Sequence, residues 1–226
     1  MLIGLFQLKK YIIMINNKEK ILPFLRFKDS RKNDIFYLIQ VLQRRKENPD
    51  MKKDVYQRGY WFITSLEELE IHWERIVKTC NDYNARAYVN INASSQEMLA
   101  KLMQVELSKR ILNGDYSAIY KLNYKLGISK NVRDRNFQSK PYWLIDFDSE
   151  NIEDLEKVKN LIKEHTSIVS ELKTLSGYHL IVEAFNYESG LKSYLKRTKS
   201  DDKNYEFDGI SFSLKFDPNT ILYYGK

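Results

Sequence analysis

The sequence predicts an α+β fold, a mixed and mostly antiparallel sheet flanked by helices, and three observations lead there. Short strand-like runs, notably 168–173 and 178–185, are separated by a turn alone, which pairs neighbours antiparallel. Helical segments with capping residues interrupt the strands without alternating with them one for one. The chain has 226 residues, 43% of them hydrophobic, and a single cysteine, so a packed core rather than a disulfide or zinc framework must hold it. Residues 1–60 read as a basic N-terminal helical region and 61–226 as the α+β domain.

Along the chain, Tyr60 to Ile63 reads as a strand, and Ser65 with Glu68 forms a capping box that opens a helix to about Asn81. Arg86 to Asn92 alternates polar and apolar residues as a half-buried strand does. Ser94 and Glu97 then cap a helix to about Leu112. A shorter helix over 116–126 ends at Gly127, and a polar, basic loop covers 128–140. Tyr142 to Asp148 is a strand, Asn151 starts a helix to 165, and the pair 168–173 and 178–185 is joined through Ser176-Gly177. A basic helix or loop over 191–199 precedes strands at 205–207, 210–216 and 220–224.

Lys and Arg outnumber Asp and Glu 37 to 30, a net +7 that favours anionic partners such as nucleic acid or nucleotides. With one cysteine, Cys80, a Cys-rich zinc module is excluded, and three histidines leave little scope for a His-rich metal site. No window is apolar enough to cross a membrane as a helix. The apolar start is interrupted by Lys9 and Lys10 and no small-residue cleavage site follows, so the chain is expected to be cytoplasmic. Residues 31–60 carry Arg31, Lys32, Arg44, Arg45, Lys46, Lys52, Lys53 and Arg58. That run is either a solvated helix face or a patch facing nucleic acid.

The most informative segment is Trp143-Leu-Ile-Asp-Phe-Asp148. Asp146 and Asp148 are two apart on a strand, so they share a face with Cα atoms roughly 7 Å apart. Their carboxylates can converge on Mg²⁺ or Mn²⁺; the alternative is a strand running into an Asp-rich turn. Two such carboxylates repel, so a divalent cation is expected to stabilise the free protein, and Asp146→Asn to spare or raise its metal-free stability. Ser176-Gly-Tyr-His179 leads into the apolar strand Leu180 to Phe185 and can aim His179 at an open sheet face. Gly177 would let a phosphate approach the backbone. A third segment runs Asp208-Gly-Ile-Ser-Phe-Ser-Leu-Lys215-Phe-Asp217-Pro-Asn-Thr220, in which Asp208-Gly209 and Asp217-Pro218 also read as plain turns.

In this order the motifs resemble the archaeo-eukaryotic primase superfamily, closest to its primase-polymerase branch in phages and mobile elements. The resemblance spans roughly 85–225, with strong motifs in 143–220 only. It implies an RRM-like palm, metal-binding aspartates at Asp146 and Asp148, and a nucleotide-contacting histidine at His179. The third acid falls on Asp208, with Asp217 as runner-up, because Lys215 and Pro218-Asn-Thr220 match the basic residue and turn that follow it in the family. The turn lacks the family's glycine, and no zinc module or phosphate loop of a fused helicase is present in the sequence.

The resemblance implies a primase-like nucleotidyltransferase that uses Mg²⁺ or Mn²⁺, nucleoside triphosphates and single-stranded DNA or RNA, with a separate helicase as a further partner in replication. Lys173, Ser176, His179, Lys215 and Arg86 are the expected nucleotide contacts, and Asn90 shares the strand face of Arg86. The basic runs at 44–53 and 192–199 would track a template backbone. Asp146, Asp148 and His179 should then lie on adjacent strands, with functional atoms within about 10 Å. Two other readings stay open. Asp148, Glu171 and Lys173 have the order of a metal-dependent nuclease set, and a primase-like fold without turnover could bind nucleic acid or a replication protein.

Overall fold

A computed structural model describes residues 14–27, 34–129, 142–187, 191, 196–197 and 204–225. Two antiparallel sheets organise them. The first contains β1 (Met14–Asn16), β2 (Ile35–Arg44), β3 (Val55–Ile63), β4 (Arg86–Asn90), β5 (Ser94–Ser95) and β12 (Asn219–Gly225). Its order is β1-β12-β4-β2-β3, with β5 also paired to β2. The second contains β6 (Tyr142–Phe147), β7 (Ile168–Lys173), β8 (Tyr178–Glu183), β9 (Lys196–Arg197), β10 (Asn204–Phe207) and β11 (Ile210–Lys215), in the order β7-β8-β6-β11-β10-β9. The helices are α1 (Lys18–Ile21), α2 (Leu66–Tyr83), α3 (Gln96–Leu112), α4 (Ala118–Gly127) and α5 (Ile152–Lys163). The α+β class with antiparallel sheets therefore holds, and no helix among the described residues is long and apolar enough to cross a membrane.

The expected helical region over 1–60 is corrected. Residues 35–44 and 55–63 are the two strands of a long hairpin. Ile35 to Ile39 and Val41 are buried on both strand faces, so β-branched and aromatic residues fill consecutive positions with no polar alternation. The boundary at 60 falls inside β3, and β2 pairs with β4, so residues from both sides of it form one sheet.

The helices follow their caps. The Ser65 hydroxyl accepts from Glu68 N at 3.1 Å, while the Glu68 carboxylate accepts from Thr64 N at 2.7 Å, one residue earlier than a capping box requires. For α3 the cap is Ser95, accepting from Met98 N, rather than Ser94, and both serines also pair with Ile35 and Phe36 as β5. Asn151 caps α5 by accepting from Glu153 N and Asp154 N. The loop expected over 128–140 and the basic stretch over 191–199 lie mostly outside the described residues.

Two core clusters hold the sheets. Leu69, Ile76 and Cys80 of α2 pack on Val41, Ile63, Ala87 and Val89 of the first sheet, and the same cluster takes in Leu144, Leu172 and Ile181 of the second. Leu155, Val158, Leu161 and Ile162 of α5 cover the opposite face of the second sheet, on Ile145, Phe147, Leu180 and Val182. Each fully buried aliphatic side chain here contributes about 1.5–3 kcal/mol over its exposed state. Polar ties join the sheets: the Asn92 amide bonds both N and O of Tyr142 at 3.0 Å, and Asn17 Nδ2 donates to the Lys173 and Ile221 carbonyls. After β11 the chain crosses at Phe216–Pro218 into the first sheet, which brings Lys215 and Asn219 to the junction.

Candidate functional site

Strand β6 sorts its side chains by alternation. Trp143, Ile145 and Phe147 face α5, while Leu144 and Asp146 face the junction between the sheets. Asp146 is directly opposite His179 on β8 and opposite Ser213 on β11. Directly opposed residues of antiparallel strands share a face, so all three point the same way. Asp146 and His179 thus meet on adjacent strands, with His179 Nε2 at 3.2 Å from Asp146 Oδ1.

His179 is buried, and its other nitrogen, Nδ1, lies 2.8 Å from Thr220 Oγ1 of the first sheet. A carboxylate only accepts, so Nε2 carries the proton and donates to Asp146, while the Thr220 hydroxyl serves Nδ1 in either direction. The second oxygen of Asp146 accepts from Lys215 Nζ. Burial pushes the Asp146 carboxyl up, but the hydrogen bond and charge of His179 and the ammonium of Lys215 outweigh it, holding the group well below the usual carboxylate range. The expected repulsion between two bare carboxylates is therefore corrected: Asp146 is already paired. Asp148, one residue beyond β6, is exposed, and its Oδ1 accepts from Ser176 Oγ at 3.0 Å.

These groups form one wall of a polar cleft of about 180 Å³. Arg44, Lys46, Arg86 and Tyr88 of the first sheet and its hairpin loop line the other, with Asn219 and Ile221 of β12. Arg86 forms a buried ion pair with Glu47, the two side chains 9% and 8% exposed. Arg86 and Arg44 each donate to the Tyr88 hydroxyl at 3.3 Å. Burial opposes the charge on Arg44, but Tyr88, Glu47 and Asp148 together hold its guanidinium protonated above its ordinary range. Glu47 Oε2, Arg86 Nε and Asn219 Oδ1 are buried beside the cleft without a hydrogen-bond partner.

Of the expected site residues, Asp146, Asp148, Ser176, His179, Lys215 and Arg86 all line this cleft. Others do not. Asp208 and Gly209, with φ of 50° and 76°, are the two central residues of a tight β10–β11 turn, a backbone that Asp-Gly adopts readily. Ser213 is the residue opposite Asp146, which leaves Asp208, in the turn before β11, five residues back along the chain and roughly 17 Å away. Asp217 accepts from Asn90 Nδ2 at 2.6 Å, so both tie β4 to the β11–β12 crossing instead of lining the cleft.

Glu171 and Lys173 are opposite Leu180 and Tyr178, on the sheet face away from Asp146. Glu171 pairs with Lys159 at 3.1 Å and Lys173 with Glu150 at 2.9 Å. Lys173 is thus corrected as a nucleotide contact, and the nuclease trio does not converge. Lys52 and Lys53 are exposed on the β2–β3 loop, while Arg31 and Lys32 lie outside the described residues, as do the side chains of 192–199.

Gly177 also has a different reason. A Cβ there would be 1.9 Å from the Phe147 carbonyl oxygen and 2.7 Å from Ser149 N, so the close approach is by the chain itself. That contact seats the β7–β8 turn against Asp148. Sequence reading missed Arg44 as a cleft residue, because it placed 31–60 in a helix. It also missed Tyr88, although the alternation of Arg86, Tyr88 and Asn90 puts all three on one strand face.

The donor set suits one hard divalent cation. Asp146 and Asp148 are two carboxylates on one face of the cleft. Mg²⁺ commonly binds through one or two carboxylates completed by substrate phosphates. Among the described residues, no group of three or more His, Cys, Asp or Glu is placed to form an all-protein cage. Comparison with protein-family models, curated proteins and solved structures gives no match.

Proposed function

We propose that this cleft binds a nucleoside triphosphate together with one divalent cation, and that the protein is a primase-polymerase-like nucleotidyltransferase acting on single-stranded nucleic acid. One observation carries the reading: Asp146, Asp148, Ser176 and His179 converge on one wall of a polar cleft whose facing wall presents Arg44 and Arg86. Carboxylates supply a place for the cation, and guanidinium groups supply planar, charge-assisted donors for phosphate oxygens.

Asp146 and Asp148 would hold Mg²⁺ or Mn²⁺, which when bound lowers the pKa of an attacking hydroxyl and neutralises charge on departing pyrophosphate. Arg44, half-buried and held by Tyr88, is a preorganised donor for a triphosphate, and Arg86, buried against Glu47, adds its charge from behind Tyr88. Ser176 fixes Asp148 through its hydroxyl. Both ring nitrogens of His179 are engaged, so its role is to position Asp146 against Thr220, not to donate freely to phosphate.

A second reading is a nucleotide- or nucleic-acid-binding module without turnover. It is favoured by the position opposite Asp146, where β11 carries Ser213 and not a third acid. The test incubates the protein with single-stranded DNA, labelled nucleotides and Mg²⁺ or Mn²⁺. Products longer than input, abolished by Asp148→Asn, are expected. Nucleotide binding without extension would favour the binder, and products shorter than input would return the site to a nuclease.

A further inference from the structure

The cleft carries its own counter-cations. Lys215 Nζ sits on one oxygen of Asp146, and the Arg44 guanidinium lines the same cleft as Asp148, so positive groups stand beside both carboxylates. Arg86 is already matched by Glu47, and Lys46 adds a further positive charge at the rim. A divalent ion entering alone would have to displace Lys215 from Asp146 and face two remaining cations. A triphosphate brings the negative charge that removes this penalty.

We infer that Lys215 is a tethered counter-cation that keeps a free divalent ion out of the cleft, so that the ion enters only with an anionic triphosphate, onto which Lys215 transfers. The inference rests on reading the cleft as a cation–triphosphate site. Lys215 is opposite Leu144 in register and 38% exposed, so its head group can leave Asp146 without unfolding β11. Asp146 stays in place when Lys215 leaves, because its other oxygen is held by His179 and, through it, by Thr220. Ser213, on the same strand face, offers no carboxylate that could hold Lys215 back.

The experiment measures Mn²⁺ binding to the full chain by electron paramagnetic resonance, first without any anion. Wild type should bind Mn²⁺ at least about tenfold more weakly than Lys215→Gln, because the variant removes a charge from the ligand carboxylate. Lys215→Arg keeps the charge and should behave as wild type. Adding Asp146→Asn to Lys215→Gln should remove the gain. Equal Mn²⁺ affinity in wild type and Lys215→Gln, or a gain in Lys215→Arg as large as in Lys215→Gln, would overturn the inference. The second arm adds a non-hydrolysable nucleoside triphosphate, which should bring Mn²⁺ onto wild type. If the Lys215→Gln gain is present but the nucleotide brings no ion to wild type, transfer to a triphosphate is overturned and with it the ligand assigned to the cleft. If the nucleotide does bring the ion while the Lys215→Gln gain is absent, the ligand reading stands and the counter-cation is overturned.

Discussion

Replacing Asp146 by Asn keeps the shape of the side chain and removes its charge. The carboxylate is only 15% exposed, and it gives one oxygen to His179 Nε2 and the other to Lys215 Nζ. Asn can still accept from His179 but leaves Lys215 without its ion pair. Cutting one partner out of a fully buried pair costs about 3–5 kcal/mol. Lys215 can turn to solvent, so the cost here should be nearer 1–3 kcal/mol, a fall in melting temperature of about 2–12 °C for a chain this size.

The effect should depend on pH with a definite sign. Native Asp146 is held below its ordinary range, so its contribution is complete above the unfolded value near 3.9 and fades as pH falls through the native one. Urea midpoints of wild type and Asp146→Asn should therefore be well separated at pH 7 and converge below about pH 4. A variant as stable as wild type at pH 7, or more stable, would mean that repulsion with Asp148 dominates and that the Lys215 pairing does not stabilise the fold.

Gly177→Ala should lower stability by about 1–3 kcal/mol and weaken nucleotide binding as well, since a Cβ collides with the backbone at Phe147 and shifts Asp148; unchanged melting and binding would contradict that contact. Burial pushes the Cys80 thiol up to about 12, so at pH 8 it should react with an alkylating reagent only as fast as the protein unfolds, and rapid labelling of native protein would contradict the packing of α2. Lys52→Glu with Lys53→Glu should lower the salt slope of single-strand binding by about 1.4 if both touch phosphates, and an unchanged slope would leave that loop a solvated surface.

The parts of the site that sequence made legible are those set by local alternation. Asp146 and Asp148 stand two apart after an apolar run, and His179 lies at the start of the next strand but one, so their meeting needs only β6 and β8 to pair. Arg44 was hidden because Ile35 to Ile39 and Val41 are buried on both faces and give no period of two, leaving the charged 44–53 run to be read as a helix surface or a patch tracking a template backbone. Asp208-Gly209 carried its turn signal openly, and the positive φ values show that the turn, rather than an acid at the cleft, uses it. The Lys215–Asp146 pair was not legible. It depends on the register of β11 against β6, residues far apart in the chain whose pairing no local pattern specifies.

The most direct measurement of the central claim is a titration with a fluorescent, non-hydrolysable nucleoside triphosphate in Mg²⁺, run on wild type, Asp148→Asn and Arg44→Glu. Asp148 supplies an exposed carboxylate for the cation and Arg44 a fixed guanidinium on the facing wall, so each change removes one side of the proposed contact. Wild type should bind, each variant should bind at least about tenfold more weakly, and the matching nucleoside without phosphates should not bind. Binding that is equal in all three proteins, or that the nucleoside shares, would contradict a cation–triphosphate site in this cleft.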